Sequence, residues 1–146
     1  MAVGRGVYAI QDDDRDFSLI RLEPGVKASP QMCHFGGPTA IDDEHASGPV
    51  ALEHYGQGVG VSTLTPGRTA VAVDTRGEDV VAALGVATYG DSGSGVTRGG
   101  RALGVLVALN FGTAAGNLLI TRLAPQLAEA EREVGTELVL MTAPRL

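Results

Sequence analysis

The chain has no tryptophan and a single cysteine among its 146 residues. With Cys33 alone, an intramolecular disulfide and a cysteine-rich metal site are both excluded. A lone cysteine of this kind is expected to be buried as a small hydrophobe. Basic residues are also few: 11 Lys and Arg stand against 17 Asp and Glu, a formal net charge of −6. Phosphate neutralisation needs a basic face, so no nucleic-acid partner is expected, and no anionic membrane surface either. No apolar run reaches the ~18 residues of a membrane-spanning helix. The opening Met-Ala-Val-Gly-Arg-Gly lacks the basic stretch and apolar core of a signal peptide. The chain as written is therefore expected in the cytoplasm, and as a secreted protein where a signal peptide precedes it.

What is present points to a β protein. Hydrophobic residues make up 44% and glycine contributes 21 positions, a profile of many short strands joined by glycine turns. Strands are expected at residues 7–10, 17–22, 31–35, 50–55, 59–64, 68–74, 79–87 and 102–109. Residues 50–55 and 59–64 read as a hairpin around Gly56-Gln57-Gly58. Residues 79–87 are almost continuously apolar, as in a strand buried on both faces. Residues 102–109 follow the tight turn at Gly99-Gly100 and read as a central strand. Near the end, Thr121 is placed to cap a helix from Arg122, with Pro125 in the first turn, where missing N–H groups cost little. Leu123, Leu127, Ala130 and Val134 form one apolar stripe, and Gly135 is a suitable stop. Residues 137–141 read as a last short strand.

The chemistry concentrates in Gly90-Asp91-Ser92-Gly93-Ser94-Gly95. Glycines around a serine allow a tight, exposed turn whose successive N–H groups point at one spot. Acyl transfer needs that arrangement to hold an oxyanion. The strand–helix elbow of α/β-hydrolases is a poor fit, because it needs glycine where Ser94 stands.

This hexapeptide resembles the nucleophile loop of chymotrypsin-like (trypsin-like) serine peptidases. Asp16-Phe-Ser-Leu-Ile-Arg-Leu22 is similar to the family's triad-aspartate strand. Residues 90–109 follow its order of nucleophile loop, turn and strand. His34-Phe-Gly-Gly-Pro-Thr39, Tyr55-Gly56 and Leu64-Thr-Pro-Gly67 resemble segments of secreted actinobacterial members. The resemblance implies an all-β fold: the C-terminal six-stranded antiparallel β-barrel with a C-terminal helix, the first barrel being largely missing. Residues 1–24 would then be a remnant of the first barrel, and residues 25–146 the second barrel with the nucleophile loop.

The resemblance further implies Ser92 as nucleophile, Asp16 as orienting carboxylate, and the Gly90 and Ser92 N–H groups as oxyanion hole. Asp91 would pair with a charged group beneath the loop. Val86, Ala87, Thr88, Val107, Ala108 and Leu109 would line the substrate pocket. Val86 stands where an acid would favour basic side chains, which implies a small or apolar preference. The family's order is His, Asp, Ser, yet none of the 15 residues before Asp16 is histidine. His34, His45 and His54 all follow it. His34 and His54 read as structural histidines and His45 as a solvated loop residue. The run Asp42-Asp43-Glu44-His45 has no recognised ligand spacing, so neither a metal nor a cofactor is expected. Two readings remain open. One is a truncated serine endopeptidase domain, inactive as this chain. The other is a peptidase-derived module that binds a peptide without chemistry, with uncovered surface favouring a homo-oligomer.

Overall fold

In the computed structural model, the structure describes residues 2–44, 49–56, 67–110 and 117–146, with 74–76, 109–110 and 117 in backbone only. Two strands, β1 (Gly4–Gln11) and β2 (Asp16–Leu22), form a separate antiparallel sheet. Six more strands close into an antiparallel barrel in the order β3-β4-β5-β8-β7-β6. They are β3 (Val50–Tyr55), β4 (Gly67–Arg76), β5 (Val80–Gly85), β6 (Gly95–Arg98), β7 (Arg101–Asn110) and β8 (Asn117–Arg122). One helix, α1 (Leu123–Val134), follows β8 directly and packs on β7 and β1. The all-β barrel with a terminal helix is the expected architecture. Among the described residues, no helix is long and apolar enough to cross a membrane.

Strand alternation builds the barrel interior. Leu52 and His54 of β3 point inward, as do Arg68, Ala70 and Ala72 of β4. Leu52, Ala70, Ala72, Val81, Ala83, Val96, Leu103, Leu106, Leu118 and Ile120 form one cluster. Each large aliphatic side chain in it contributes about 1.5–3 kcal/mol of burial. Val80, Val81, Ala82 and Ala83 are all buried, so β5 is covered on both faces, as its apolar run predicts. The β6–β7 turn needs two consecutive residues at positive φ, which Gly99 (57°) and Gly100 (82°) supply.

Several local expectations fail for identifiable reasons. Residues 31–35 are not a strand: only Met32 bridges to Gly36, and His34 turns the chain at a φ of 76°. Cys33 is exposed, not buried, because it sits in that turn. The partner of β3 is β4, with Tyr55 opposite Gly67; residues 59–64 lie outside the described residues. Strands β6 and β8 have no counterpart in the sequence reading. β8 was hidden because Thr121 reads as a helix cap. In fact Arg122 occupies the cap position, and no side chain caps the helix. Gly135 does end it, at a φ of 68° with its N–H bonded to the Glu131 carbonyl. Of the expected stripe Ala130 is fully buried, but so is Gln126, which donates to Asp79 at 2.8 Å. Residues 137–141 form no strand. The tail instead runs against residues 35–38, through Gly37 N–H to the Pro144 carbonyl at 2.8 Å and Leu146 N–H to the Phe35 carbonyl at 2.9 Å.

Candidate active site

The loop between β5 and β6 carries Ser92 on an exposed turn. Backbone bonds fix it on both sides. Gly93 N–H donates to the Leu106 carbonyl at 2.8 Å, and Leu106 N–H returns to the Ser94 carbonyl at 2.9 Å. Asp91 N–H donates to the Thr88 carbonyl at 3.1 Å, and Ser94 N–H to the Asp91 carbonyl at 3.0 Å. Among the described residues, the Gly90 and Ser92 N–H groups donate to no partner. Gly90 has a φ of 97°.

The loop is anchored from below. Asp91 is fully buried and its carboxylate accepts from the Arg68 guanidinium, itself buried. The same oxygen accepts the Thr88 N–H at 2.8 Å. Arg68 is thus the charged group beneath the loop, and sequence reasoning missed it. The signal was available: strand alternation puts Arg68 on the same face as Ala70 and Ala72, and a guanidinium inside an apolar barrel requires a carboxylate. Gly56 is part of the same fit. A Cβ there would fall 2.6 Å from the Asp91 carboxylate carbon and 2.9 Å from Arg68.

Ser92 and Asp16 share one cleft of about 390 Å³. Phe17, Ser18, Gly93, Val105, Leu106 and Val107 complete its lining. Asp16 comes from the separate hairpin, yet it is tied to the barrel. Its N–H donates to the Thr121 hydroxyl at 3.3 Å, and Thr121 is buried at the end of β8. The hydroxyl that reads as a helix cap therefore anchors the carboxylate strand. The β7–β8 register slips between Leu106 and Ala108, which takes Val107 out of the ladder. Its carbonyl faces the Ser92 hydroxyl at 3.5 Å, too long to lock the hydroxyl in place.

The remaining expected residues are dispersed. Val107 lines the Ser92 cleft, while Ala108 lines a neighbouring groove beside Asp16. Val86, Ala87 and Thr88 do not line the Ser92 cleft: Val86 is half exposed and Ala87 packs against the barrel core. The side chain of Leu109 and the segment 57–66 lie outside the described residues, as does His45.

Among the described residues, no histidine lines the Ser92 cleft. His34 is exposed, edge-on to Phe35 at 4.7 Å, and its ring fills the space where a Gly67 side chain would stand. His54 is buried in the barrel, and neither ring nitrogen makes a well-formed hydrogen bond. Burial holds its pKa below the ordinary 6.5, against the pull of Asp91 and of the Val86 backbone and with the push of Arg68. The acidic run at 42–44 is engaged otherwise: Asp42 is buried and accepts two bonds from Arg98 at 2.5 Å.

No protein-family model matches the sequence, and no curated protein matches it. Among solved structures, the chain is similar to the crystal structure of Rv3671c from M. tuberculosis H37Rv, a serine-to-alanine mutant in an inactive form. The TM-score is 0.59 at 17% sequence identity, over 93% of this chain and 68% of that one. At that identity the likeness is one of fold.

Proposed function

We propose that this chain carries the serine and the aspartate of a trypsin-like serine endopeptidase site. Its protease-like fold supports the reading. The observation that carries it is the single cleft lined by both Ser92 and Asp16, next to two unoccupied N–H groups at Gly90 and Ser92. In the reaction, Ser92 Oγ attacks a peptide carbonyl carbon and gives its proton to an imidazole oriented by Asp16. The carbonyl oxygen becomes an oxyanion held by the Gly90 and Ser92 N–H groups. The C–N bond then breaks, the imidazolium returns the proton to the leaving amine, and water hydrolyses the acyl-serine. The imidazole must come from another segment, because none of the described residues brings one to the cleft. Without it, turnover falls on the order of 10⁶-fold. Substrate preference is proposed as small or apolar side chains, on the apolar Phe17, Val105, Leu106 and Val107 of the cleft.

The test is labelling of Ser92 by a fluorophosphonate, followed by intact mass, with and without free imidazole, which the cleft has room to admit. Slow labelling that rises with imidazole, and its loss in Ser92→Ala, are expected. No adduct under any condition would refute the reading. The absence of a histidine among the described lining residues favours a second reading, a non-catalytic module that binds a peptide by strand addition. The unreactive outcome together with saturable binding of an extended peptide would support that one.

A further inference from the structure

His54 occupies a position that the proposed chemistry does not use. It points into the barrel from β3, directly opposite Arg68 of β4 and Val96 of β6, and is 1% exposed. Neither Nδ1 nor Nε2 makes a well-formed hydrogen bond, and the Val86 backbone is the one hydrogen-bonding group that acts on the ring. Buried polar atoms in proteins are almost always well paired, so a loosely held imidazole calls for a physical account. Three groups act on it, each from a different element. Arg68 does so from β4, Asp91 from the nucleophile loop, and the Val86 backbone from the segment after β5. Among the described residues, Asp91 and Arg68 are the charged groups that face it.

The same groups set the loop. Asp91 holds the Thr88 N–H and the Arg68 guanidinium. Only Gly90 separates Thr88 and Tyr89 from Asp91 and Ser92. An imidazole at this junction has two states with different hydrogen-bonding demands. Neutral, it offers one donor and one acceptor, and Asp91 stays with Arg68. Protonated, it offers two donors and a charge, and the groups that favour that state are the Asp91 carboxylate and the Val86 backbone.

We infer that His54 is a proton-sensing positioning residue of the nucleophile loop, whose protonation draws Asp91 and the segment 86–92 into a second arrangement. Its relevance to catalysis rests on the reading of Ser92 as nucleophile. The proton comes from solvent and no covalent bond changes. Burial supports the neutral state as the resting one, since it lowers the pKa below 6.5. The sign follows from linkage. Above 6.5 the ring is neutral in both the folded and the unfolded chain, and the site contributes its full stability. As pH falls below 6.5 the unfolded chain takes up the proton first, and that stability is lost progressively down to the folded value.

The experiment is an NMR titration of the full chain from about pH 8 into the acid range, following the His54 ring and the amides of residues 86–94. The ring is expected to titrate below 6.5. The loop amides should shift with the same midpoint while barrel amides on β5 and β8 stay in place. His54→Gln, neutral at every pH, should remove the loop titration. A ring that titrates without any loop response would overturn the inference. So would loop shifts that accompany only the collapse of barrel signals, or that persist with the same midpoint in His54→Gln. If the variant fails to fold, coincidence of the ring and loop midpoints in the unmodified chain decides. The titration does not require Ser92 to react. A chain that is never labelled, yet shows the coupled titration, loses the peptidase reading and keeps this one.

Discussion

Arg68 shows how one side chain sets the site. Its guanidinium and the Asp91 carboxylate are both buried inside the barrel. Breaking such a buried pair costs about 3–5 kcal/mol. Arg68→Ala should therefore lower the unfolding midpoint in urea more than any surface substitution. An unchanged midpoint would mean that the pair is not formed. Gly56 acts at the same point by having no side chain. Gly56→Ala places a Cβ against Asp91 and Arg68. It should cost on the order of 1–3 kcal/mol as an overpacked core does, and broaden the amide signals of residues 88–92. At this scale the sequence was half legible. The Gly90–Gly95 pattern exposed Ser92 and Asp91, because that chemistry requires contiguous small residues. Arg68, His54 and Thr121 stayed hidden, because their roles depend on partners on other strands and loops, far from them in the sequence.

Among the elements, the β1–β2 hairpin is the critical one. A two-stranded sheet is marginally stable alone, so Asp16 is placed only as well as the hairpin is docked. Two links do this. Asp16 N–H bonds the Thr121 hydroxyl, and Arg15 joins Asp12 at 2.6 Å to Glu129 of α1 at 3.0 Å. The second link is partly exposed and is worth about 0–1 kcal/mol. The first is buried at its Thr121 end. Thr121→Val keeps the shape and removes the acceptor. Hydrogen exchange at Asp16 and Phe17 should then accelerate while β5 and β8 stay protected. Equal protection in the variant would show that the hydroxyl does not hold the strand. Strand periodicity revealed β1, β2, β3, β4, β5 and β7, because each alternates or runs apolar over several residues. It missed β6, only four residues long, and β8, whose end doubles as the start of a helix. The expected strands at 31–35 and 137–141 do not form: the first turns at His34, and the second leaves Val139 and Met141 exposed rather than joining the closed barrel.

For the whole molecule, the hairpin region leaves apolar side chains in solvent: Val3, Val7, Ile20 and Leu22 are all exposed. Two sheet edges flank it, since among the described residues β1 and β2 pair only with each other. Uncovered edges and apolar faces promote association. Light scattering should give an apparent mass that rises with protein concentration, and Ile20→Lys should suppress the rise. A concentration-independent monomer would count against this. The strand-rich class was legible in alternation and glycine turns, while the six-stranded barrel came only through the resemblance, since β6 and β8 were not read as strands. The placement of the hairpin against the barrel was legible only through resemblance, since no periodicity encodes a contact between Asp16 and Thr121.

In the proposed site, Ser92 and Asp16 act across one gap. The most direct measurement is the imidazole-supported rate of fluorophosphonate adduct formation, compared between the unmodified chain and Asp16→Asn. A carboxylate that orients the imidazole should be felt in that component alone: Asp16→Asn should lower it severalfold and leave the imidazole-independent background as it was. Equal imidazole-supported rates in the two proteins would contradict the account.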